Sequence, residues 1–479
     1  MSLRVFNTLA NEKQDFTPLR PGRVGMYVCG ITVYDLPHMG HARMLVAFDT
    51  AVRFLRWAGW TVDYVRNWTD VDDKIIRRAR EKGEDPLALS RRFIEECQRD
   101  MQALNILPAD VEPKATDHIP EMQALIARLI ESGHAYASQG DVYFAVRSFP
   151  QYGKLSKRNL DDLLSGARVE PGEQKRDPLD FALWKAWKPG EPESVTWDSP
   201  WGRGRPGWHI ECSAMCQKYL GTTFDVHGGG KDLVFPHHEN EIAQSEAASG
   251  QELAHYWVHN GFVTIDAEKM SKSIGNVRNI RELRAHWDGE ALRAFLLSTH
   301  YRNPITFTES ALADADRRIE YFYESLAKGD AYLAQKKFAG GDPKPVDEHV
   351  QAFREAMEDD FNTADAVARL ERVFGHLNSR IDAKAKPAEV AALLHTARTL
   401  SHVLGLVARA PGEAIRERRA LAASRKGIDP KWVEERIAAR IAARKRKDFP
   451  QADAIRAEVA ARGVELRDGA QGTDWRVLV

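Results

Sequence analysis

The chain predicts an α/β fold built on a doubly wound parallel sheet, and three observations carry that prediction. Residues 24–29 (VGMYVC) are an uncharged run suited to a strand buried on both faces, followed by a glycine-bearing turn, GITVYDLPHMGHAR. An apolar helix then runs over about 42–57. TVDYVRNW at 61–68 alternates as a second strand and VDDKIIRRAREKG continues from 71 as helix, which closes a right-handed βαβ unit. The whole prediction is a Rossmann-like domain carrying an insertion, followed by a helical bundle and a small C-terminal mixed α/β domain.

A length of 479 residues is enough for about three domains and a large core. Lys+Arg 68 against Asp+Glu 69 leaves a net charge of −1, so the chain as a whole does not announce a polyanion partner. From residue 409 onward the balance is 17 Lys/Arg against 11 Asp/Glu, a net +6 that leaves −7 on the first 408 residues. A basic end on an acidic body is expected where part of a protein meets a phosphate backbone. Cys29, Cys97, Cys212 and Cys216 are too few and too scattered for a disulfide framework, so reduced thiols in the cytosol are expected. The start, MSLRVFNTLANEKQDF, has no apolar signal region, and no run approaches 18 apolar residues, so neither secretion nor a membrane span is expected.

Between 108 and 207 the texture changes, with a helix over 120–132 and a strand-like DVYFAVRSF at 141–149. The run DPLDFALWKAWKPGEPESVTWDSPWGRGRPGW is rich in Pro, Gly and Trp and is read as an insertion with neither regular sheet nor helix, its tryptophans packing rather than binding. WHIECSAMCQKYL re-enters the main sheet as a helix, and TTFDVH and about 256–263 are its next strands. EKMSKSIGN at 268–276 is a polar loop with two lysines. Helical stripes follow: Leu312, Ile319, Phe322 and Leu326; Val367, Leu370, Phe374 and Leu377; Val390, Leu393, Leu394, Ala397, Leu400 and Leu404. These are core positions. Helices rich in Arg and Lys and two short strands near 464–466 and 475–479 close the chain.

The densest chemistry lies in DVHGGGKDLVFPHHENE at 225–241. If PHHENE opens a helix with Pro236 in its first turn, His237 and Glu241 share a face at the spacing of a two-point metal clamp. Cys29 sits at the carboxyl end of the first strand, where open α/β sheets bind ligands, and Cys212 lies just after the re-entry. Cys216 and His238 are alternative donors one turn or one residue away. HMGH at 38–41 starts a helix whose free N–H groups favour phosphate, with Gly40 allowing close approach.

HMGH and KMSKS, in this order on a sheet of this kind, resemble the HIGH and KMSKS signatures of the class I aminoacyl-tRNA synthetases, with Met39 in place of Ile. The resemblance implies that His38, His41, Lys269 and Lys272 are catalytic. Adenylate formation builds charge on the α-phosphate oxygens and on departing pyrophosphate, which donors at a helix start and loop lysines can meet from two sides. Gly40, Asp232 and Lys272 are then the ATP-binding positions, with Mg(2+) accompanying the nucleotide.

YVCGITVYD, HMGHA, GWHIECSAM, HGGGKDLVFPHHENE and KMSKSIGN resemble in particular the cysteinyl-tRNA synthetase family, from near Val5 to Trp475. The resemblance implies one zinc ion on Cys29, Cys212, His237 and Glu241, a donor set of two thiolates, an imidazole and a carboxylate that suits Zn(2+). Substrate cysteine would meet Cys29, Thr69, Trp208 and Asp232. The implied activity is ligation of cysteine to its tRNA at the expense of ATP, by a cytoplasmic monomer that touches no membrane. The domains expected are a catalytic domain over 1–107 and 208–265, a connective insertion over 108–207, the KMSKS loop and stem-contact region over 266–310, a tRNA-binding helical bundle over 311–408 and a basic anticodon-binding domain over 409–479. Arg444, Lys445, Arg446 and Lys447 are expected on phosphates and Trp475 on an anticodon base. Two other readings stand beside this one: the related ligase that joins activated cysteine to an amino sugar, and a non-catalytic RNA-binding scaffold.

Overall fold

All four strands of the central sheet run parallel. The computed structural model describes residues 3–159, 174–265, 268–269, 278–340, 343–469 and 472–477. Two units make up the chain: Met1–Val277 with Thr299–Thr306 and Arg354–Ala366, and Arg278–Ser298 with Phe307–Phe353 and Val367–Val479.

The first unit opens on an antiparallel pair, β1 (Arg4–Asn7) and β2 (Glu12–Asp15). β3 (Arg23–Thr32), α1 (Met39–Trp57) and β4 (Thr61–Thr69) follow as the βαβ unit read from the sequence. β3 is buried without a break from Val24 to Cys29, as a strand covered on both faces must be. α2 (Asp73–Lys82) and α3 (Pro86–Ala103) start where the side chains of Asp72 and Asp85 accept hydrogen bonds from first-turn N–H groups. α4 (Ile119–Glu131) leads into a four-stranded antiparallel sheet, β5 (Ala135–Ser138), β6 (Asp141–Phe144), β7 (Phe181–Ala186) and β8 (Gly204–Pro206), in that order.

Here the sequence reading is corrected, because the Pro/Gly/Trp-rich run supplies two strands of that sheet. Pro206 is tolerated because β8 is a three-residue edge strand, where a missing N–H breaks no second ladder. Trp184 and Leu183 of β7 are fully buried, so the run is core-forming, as its tryptophans suggested. The predicted strand over 141–149 stops at Phe144 and becomes a 3₁₀ turn at Val146–Ser148.

α5 (Trp208–Leu220) returns the chain to the main sheet, and β9 (Phe224–Gly230), α6 (Glu239–Ser249) and β10 (Ala254–Asn260) complete it in the order β10-β9-β3-β4. The strand expected through 263 ends at Asn260, because the N–H of Gly261 goes to Tyr301 O (2.8 Å) instead of a neighbouring strand. β11 (Val263–Ile265) then pairs with β12 (Glu268–Lys269) and lies beside β13 (Ile305–Phe307).

Two close approaches place the site. Along β3, Val28 pairs with Arg66 but Ile31 pairs with Trp68, so one extra residue bulges at Cys29–Gly30. A Cβ at Gly30 would stand 1.6 Å from the Asn67 carbonyl oxygen, and Asn67 Oδ1 accepts the Gly30 N–H at 2.8 Å. On β9 a Cβ at Gly228 would meet the Phe48 ring at 2.3 Å, so only glycine lets α1 lie this close to the strand. Deeper in α1, the buried guanidinium of Arg43 donates to the carbonyls of Thr299, His300 and Asn303 at 3.0, 2.8 and 3.4 Å.

The second unit is helical: α7 (Ile280–Arg284), α8 (Gly289–Leu297), α9 (Glu309–Gln335), α10 (Asp347–Glu358), α11 (Thr363–Asp382) and α12 (Pro387–Val403), the facing ends of α10 and α11 belonging with the first unit. Every residue of the three predicted stripes is buried. α13 (Pro411–Arg425), α14 (Pro430–Lys445), α15 (Phe449–Ala461) and the hairpin β14 (Val464–Gly469) and β15 (Gly472–Val477) enclose a small core of their own that includes Val433, Ile437, Val459, Leu466 and Trp475.

Gly228→Ala should cost about 1–3 kcal/mol of stability by driving a methyl into Phe48. Thermal or urea unfolding measures it, and Phe48→Leu added to the same chain should recover part of the loss.

Candidate functional site

The carboxyl ends of β3, β4 and β9 and the start of α1 border a cleft of about 400 Å³. Open α/β sheets place ligands there. Cys29, His38, Gly40, His41, Thr69, Trp208, Cys212, Asp232 and His237 all line it. Glu241 lies behind the cleft and is fully buried. Lys269 contributes its backbone to β12, while its side chain, like the whole of Lys272, lies outside the described residues.

At one wall, His38 caps α1. Its Nδ1 accepts from the N–H of Gly40 at 3.1 Å, and His41 Nδ1 accepts from the N–H of His38 at 3.2 Å. The two rings stack at 3.8 Å. A neutral imidazole that accepts at Nδ1 carries its proton on Nε2, so the geometry gives each ring an Nε2–H donor at a helix N-terminus. This is where negative charge is favoured.

At the floor, Cys29 Sγ stands 3.7 Å from Cys212 Sγ and 3.3 Å from Glu241 Oε1, and His237 Nε2 stands 3.0 Å from the same oxygen. No disulfide joins the thiols. Donors bound at about 2.0–2.3 Å to one tetrahedral zinc stand about 3.3–3.8 Å apart. The ligand atoms of Cys29, Cys212, His237 and Glu241 all fall within 4.8 Å of one another, so the set fits a single cation.

Charge is already distributed in the cluster. Burial opposes ionisation of Cys212, but the Cys29 thiol and His237 outweigh it and bring its pKa down to about 6. Burial also opposes the charge of His237, yet Glu241 and Cys212 raise it to about 10. Despite its burial, Glu241 is held well below the usual carboxylate range by His227 and His237. Cys29 and Cys216 are pushed well up, chiefly by burial. Behind the cluster, His209 Nδ1 meets His237 Nδ1 at 2.9 Å, and burial keeps His209 neutral and able to accept. Trp208 stacks on His237 at 4.3 Å.

The stretch from Val234 to His238 is a tight turn with Phe235 extended, so α6 begins at Glu239, later than the predicted helix from Pro236. His237 and Glu241 still share a side, one turn apart. Sequence reasoning missed two of the three residues between, Glu239 and Asn240. Glu239 is fully buried and accepts from the N–H groups of Gly153 (2.9 Å), Leu155 (3.4 Å) and Ser156 (2.7 Å), and Asn240 Oδ1 accepts from Tyr152 OH at 2.5 Å. They clamp the loop at 152–156, more than 80 residues away, which no local pattern could announce. Asn67 and Lys74 also line the cleft and were missed. Asn67 donates to Thr69 Oγ1 at 3.3 Å while holding the bulge, and Lys74 Nζ lies near the rings of Tyr34 and Trp208 at 5.9 and 6.0 Å.

At the C-terminal end the stacking expectation for Trp475 is corrected: 9% exposed, it is packed into the small core. The exposed ring there is Phe449, at 58%. All four predicted phosphate contacts are exposed; among them Arg444 pairs with Asp468 at 3.1 Å and Arg446 donates to Gln451 at 3.0 Å.

A doubly wound parallel sheet with a histidine-capped helix at its carboxyl edge goes with membership of the class I tRNA synthetases. The family model "tRNA synthetases class I (C) catalytic domain" matches residues 15–317, and a DALR domain matches 352–408. Among solved structures, methionyl-tRNA synthetase of Mycobacterium tuberculosis with methionyl-adenylate aligns at TM-score 0.54 and 18% identity over 85% of this chain and 94% of that one. The Agrobacterium radiobacter K84 agnB2 LeuRS in its ternary complex aligns at TM-score 0.58 and 13% identity, over 85% and 86%. Both attest the fold. The chain belongs to the cysteine–tRNA ligase family: it is 55% identical to the Anaeromyxobacter dehalogenans (strain 2CP-C) protein of that name and 52% identical to that of Geobacter sulfurreducens, over 100% of both chains in each case.

Glu239→Ala should release the loop at 152–156. Charge-assisted hydrogen bonds are worth about 1.5–3 kcal/mol each, so amide exchange of Gly153 and Ser156 should accelerate by about tenfold or more, with other loops as the internal reference.

Proposed function

We propose that this chain activates cysteine with ATP, giving cysteinyl adenylate and pyrophosphate, and passes the cysteinyl group to the 3′ end of its tRNA. The observation that carries this reading is the meeting of a four-donor thiol, imidazole and carboxylate cluster with a histidine-capped helix start in one cleft.

Substrate carboxylate is ionised at neutral pH, so it needs no general base to attack the α-phosphate. The Nε2–H groups of His38 and His41 meet the growing charge from the helix side, and Lys269 and Lys272 meet it from the other. Gly40 leaves its N-terminal backbone open to the nucleotide, which enters with Mg(2+), and Asp232 faces the ribose or the substrate ammonium. Thr69 and Trp208 wall the amino acid pocket. Cys29, Cys212, His237 and Glu241 would hold Zn(2+), with His209 fixing the His237 ring from behind. Bound there, zinc supplies a soft acceptor for the substrate thiolate that the hydroxyl of serine cannot satisfy. Selection of that kind needs no editing domain.

Residues 1–107 and 208–265 carry this chemistry, 108–207 is a connective insertion, 266–310 holds the KMSKS loop, and 311–408 and 409–479 take the tRNA. In the last segment Lys445 and Lys447 offer exposed charge and Phe449 an exposed ring to a single-stranded base. Joining cysteine to an amino sugar instead would leave the basic end without a partner. No helix among the described residues is long and apolar enough to cross a membrane, and the reading is of a cytoplasmic monomer.

Replacing the ion with Co(II) tests the metal reading: wild-type chain should show thiolate-to-cobalt absorption of two thiolates, and added cysteine, but not serine, should change it. Chelation should abolish cysteine-dependent ATP–pyrophosphate exchange, and zinc should restore it. For the tRNA reading, Lys445→Ala with Lys447→Ala and Phe449→Ala should raise KM for tRNA by about tenfold or more while sparing that exchange, since stacking alone contributes about 1–3 kcal/mol per base. Equal loss of both activities would contradict the division of labour.

A further inference from the structure

We propose that the same cluster contains a second, inner metal position, held by Cys29, His227, His238 and Glu241. It rests on the reading of Cys29, Cys212, His237 and Glu241 as the working zinc site. The ligand atoms of the inner four also lie within 4.8 Å of one another. Because the two sets share Cys29 and Glu241, they hold one ion between them. Glu241 reaches both ways: Oε1 lies 3.0 Å from His237 Nε2, and Oε2 lies 2.8 Å from His227 Nε2.

The orientation of His238 is what a ligand requires. Its Nδ1 lies 2.8 Å from His259 Nε2, and His259 Nδ1 lies 2.8 Å from Thr8 Oγ1. A run in which each Nδ1–H donates leaves a lone pair on His238 Nε2. That nitrogen is fully buried, has no hydrogen-bond partner among the described residues and stands 4.0 Å from Glu241 Oε1. An imidazole whose ring is fixed by an acceptor behind it, with its other nitrogen bare, is the usual state of a metal-ligating histidine. His209 stands behind His237 in the same relation, at 2.9 Å.

The two positions differ in reach and in softness. Cys29, Cys212 and His237 border the cleft; His227 and His238 do not, and Trp257 stacks on His227 at 4.5 Å. An ion in the inner position is therefore screened from an incoming thiol. It also has one thiolate and two imidazoles where the outer position has two thiolates and one, so zinc prefers the outer set while Cys212 is present. The inner set retains the ion when Cys212 is lost.

Co(II) titration of the metal-stripped full-length chain tests this. Cys212→Ala should still bind one equivalent, with about half the thiolate-to-cobalt absorption of wild type. Adding His237→Gln should leave that binding in place, whereas adding His238→Gln should weaken it at least a hundredfold. His238→Gln alone should keep one equivalent and the two-thiolate band, which also shows that the variant folds. A metal-free Cys212→Ala, or binding lost through His237→Gln and kept through His238→Gln, would overturn the inner position. A wild-type chain without the two-thiolate band would instead refute the outer assignment.

Discussion

A carboxylate with no exposure to water is the constraint from which the site follows. An ionised group taken out of water costs several kcal/mol unless charge and hydrogen bonds surround it. Glu241 meets that requirement with His227 on one oxygen and His237 and the Cys29 thiol on the other. Those partners come from β3, β9 and the turn before α6, so the carboxylate can be satisfied only when the parallel sheet is assembled. Folding of the sheet and assembly of the donor cluster are thus one event.

The same economy runs through the whole HHENE stretch. His237 and Glu241 turn to the cleft floor, His238 turns inward to His259, and Glu239 and Asn240 turn to the loop at 152–156. Five consecutive residues therefore serve three neighbourhoods. Substitutions in the three groups therefore disturb different parts of the first unit even though the residues are adjacent.

Much of this was legible in the sequence because the signals were local. Strand, turn and helix around HMGH, the thiols at Cys29 and Cys212, and the i,i+4 pair of His237 and Glu241 are all read from short windows, and the helical stripes are read from periodicity alone. What escaped depended on distant chain. Glu239 looks like a solvated helix-start acid until Gly153 and Ser156 arrive against it. Asn67 looks like an ordinary strand residue until the bulge at Gly30 presents an N–H to it. Pro206 and Gly204 argued against sheet because composition cannot reveal that a strand will be an edge of three residues. Trp475 looked available because a terminal tryptophan gives no sign that a hairpin will fold it inward.

The grip of Arg43 on the carbonyls of Thr299, His300 and Asn303 has a mechanical meaning. The helix that presents His38 and His41 and the stretch just before β13 are bolted together, and β13 lies beside β11, from which the chain departs toward Lys269 and Lys272. The start of α1 and the edge of β11 therefore share one bracket. The edge of β11 at Val263 thus keeps its bearing on His38 and His41, so two sides of the cleft mouth hang from a common pivot.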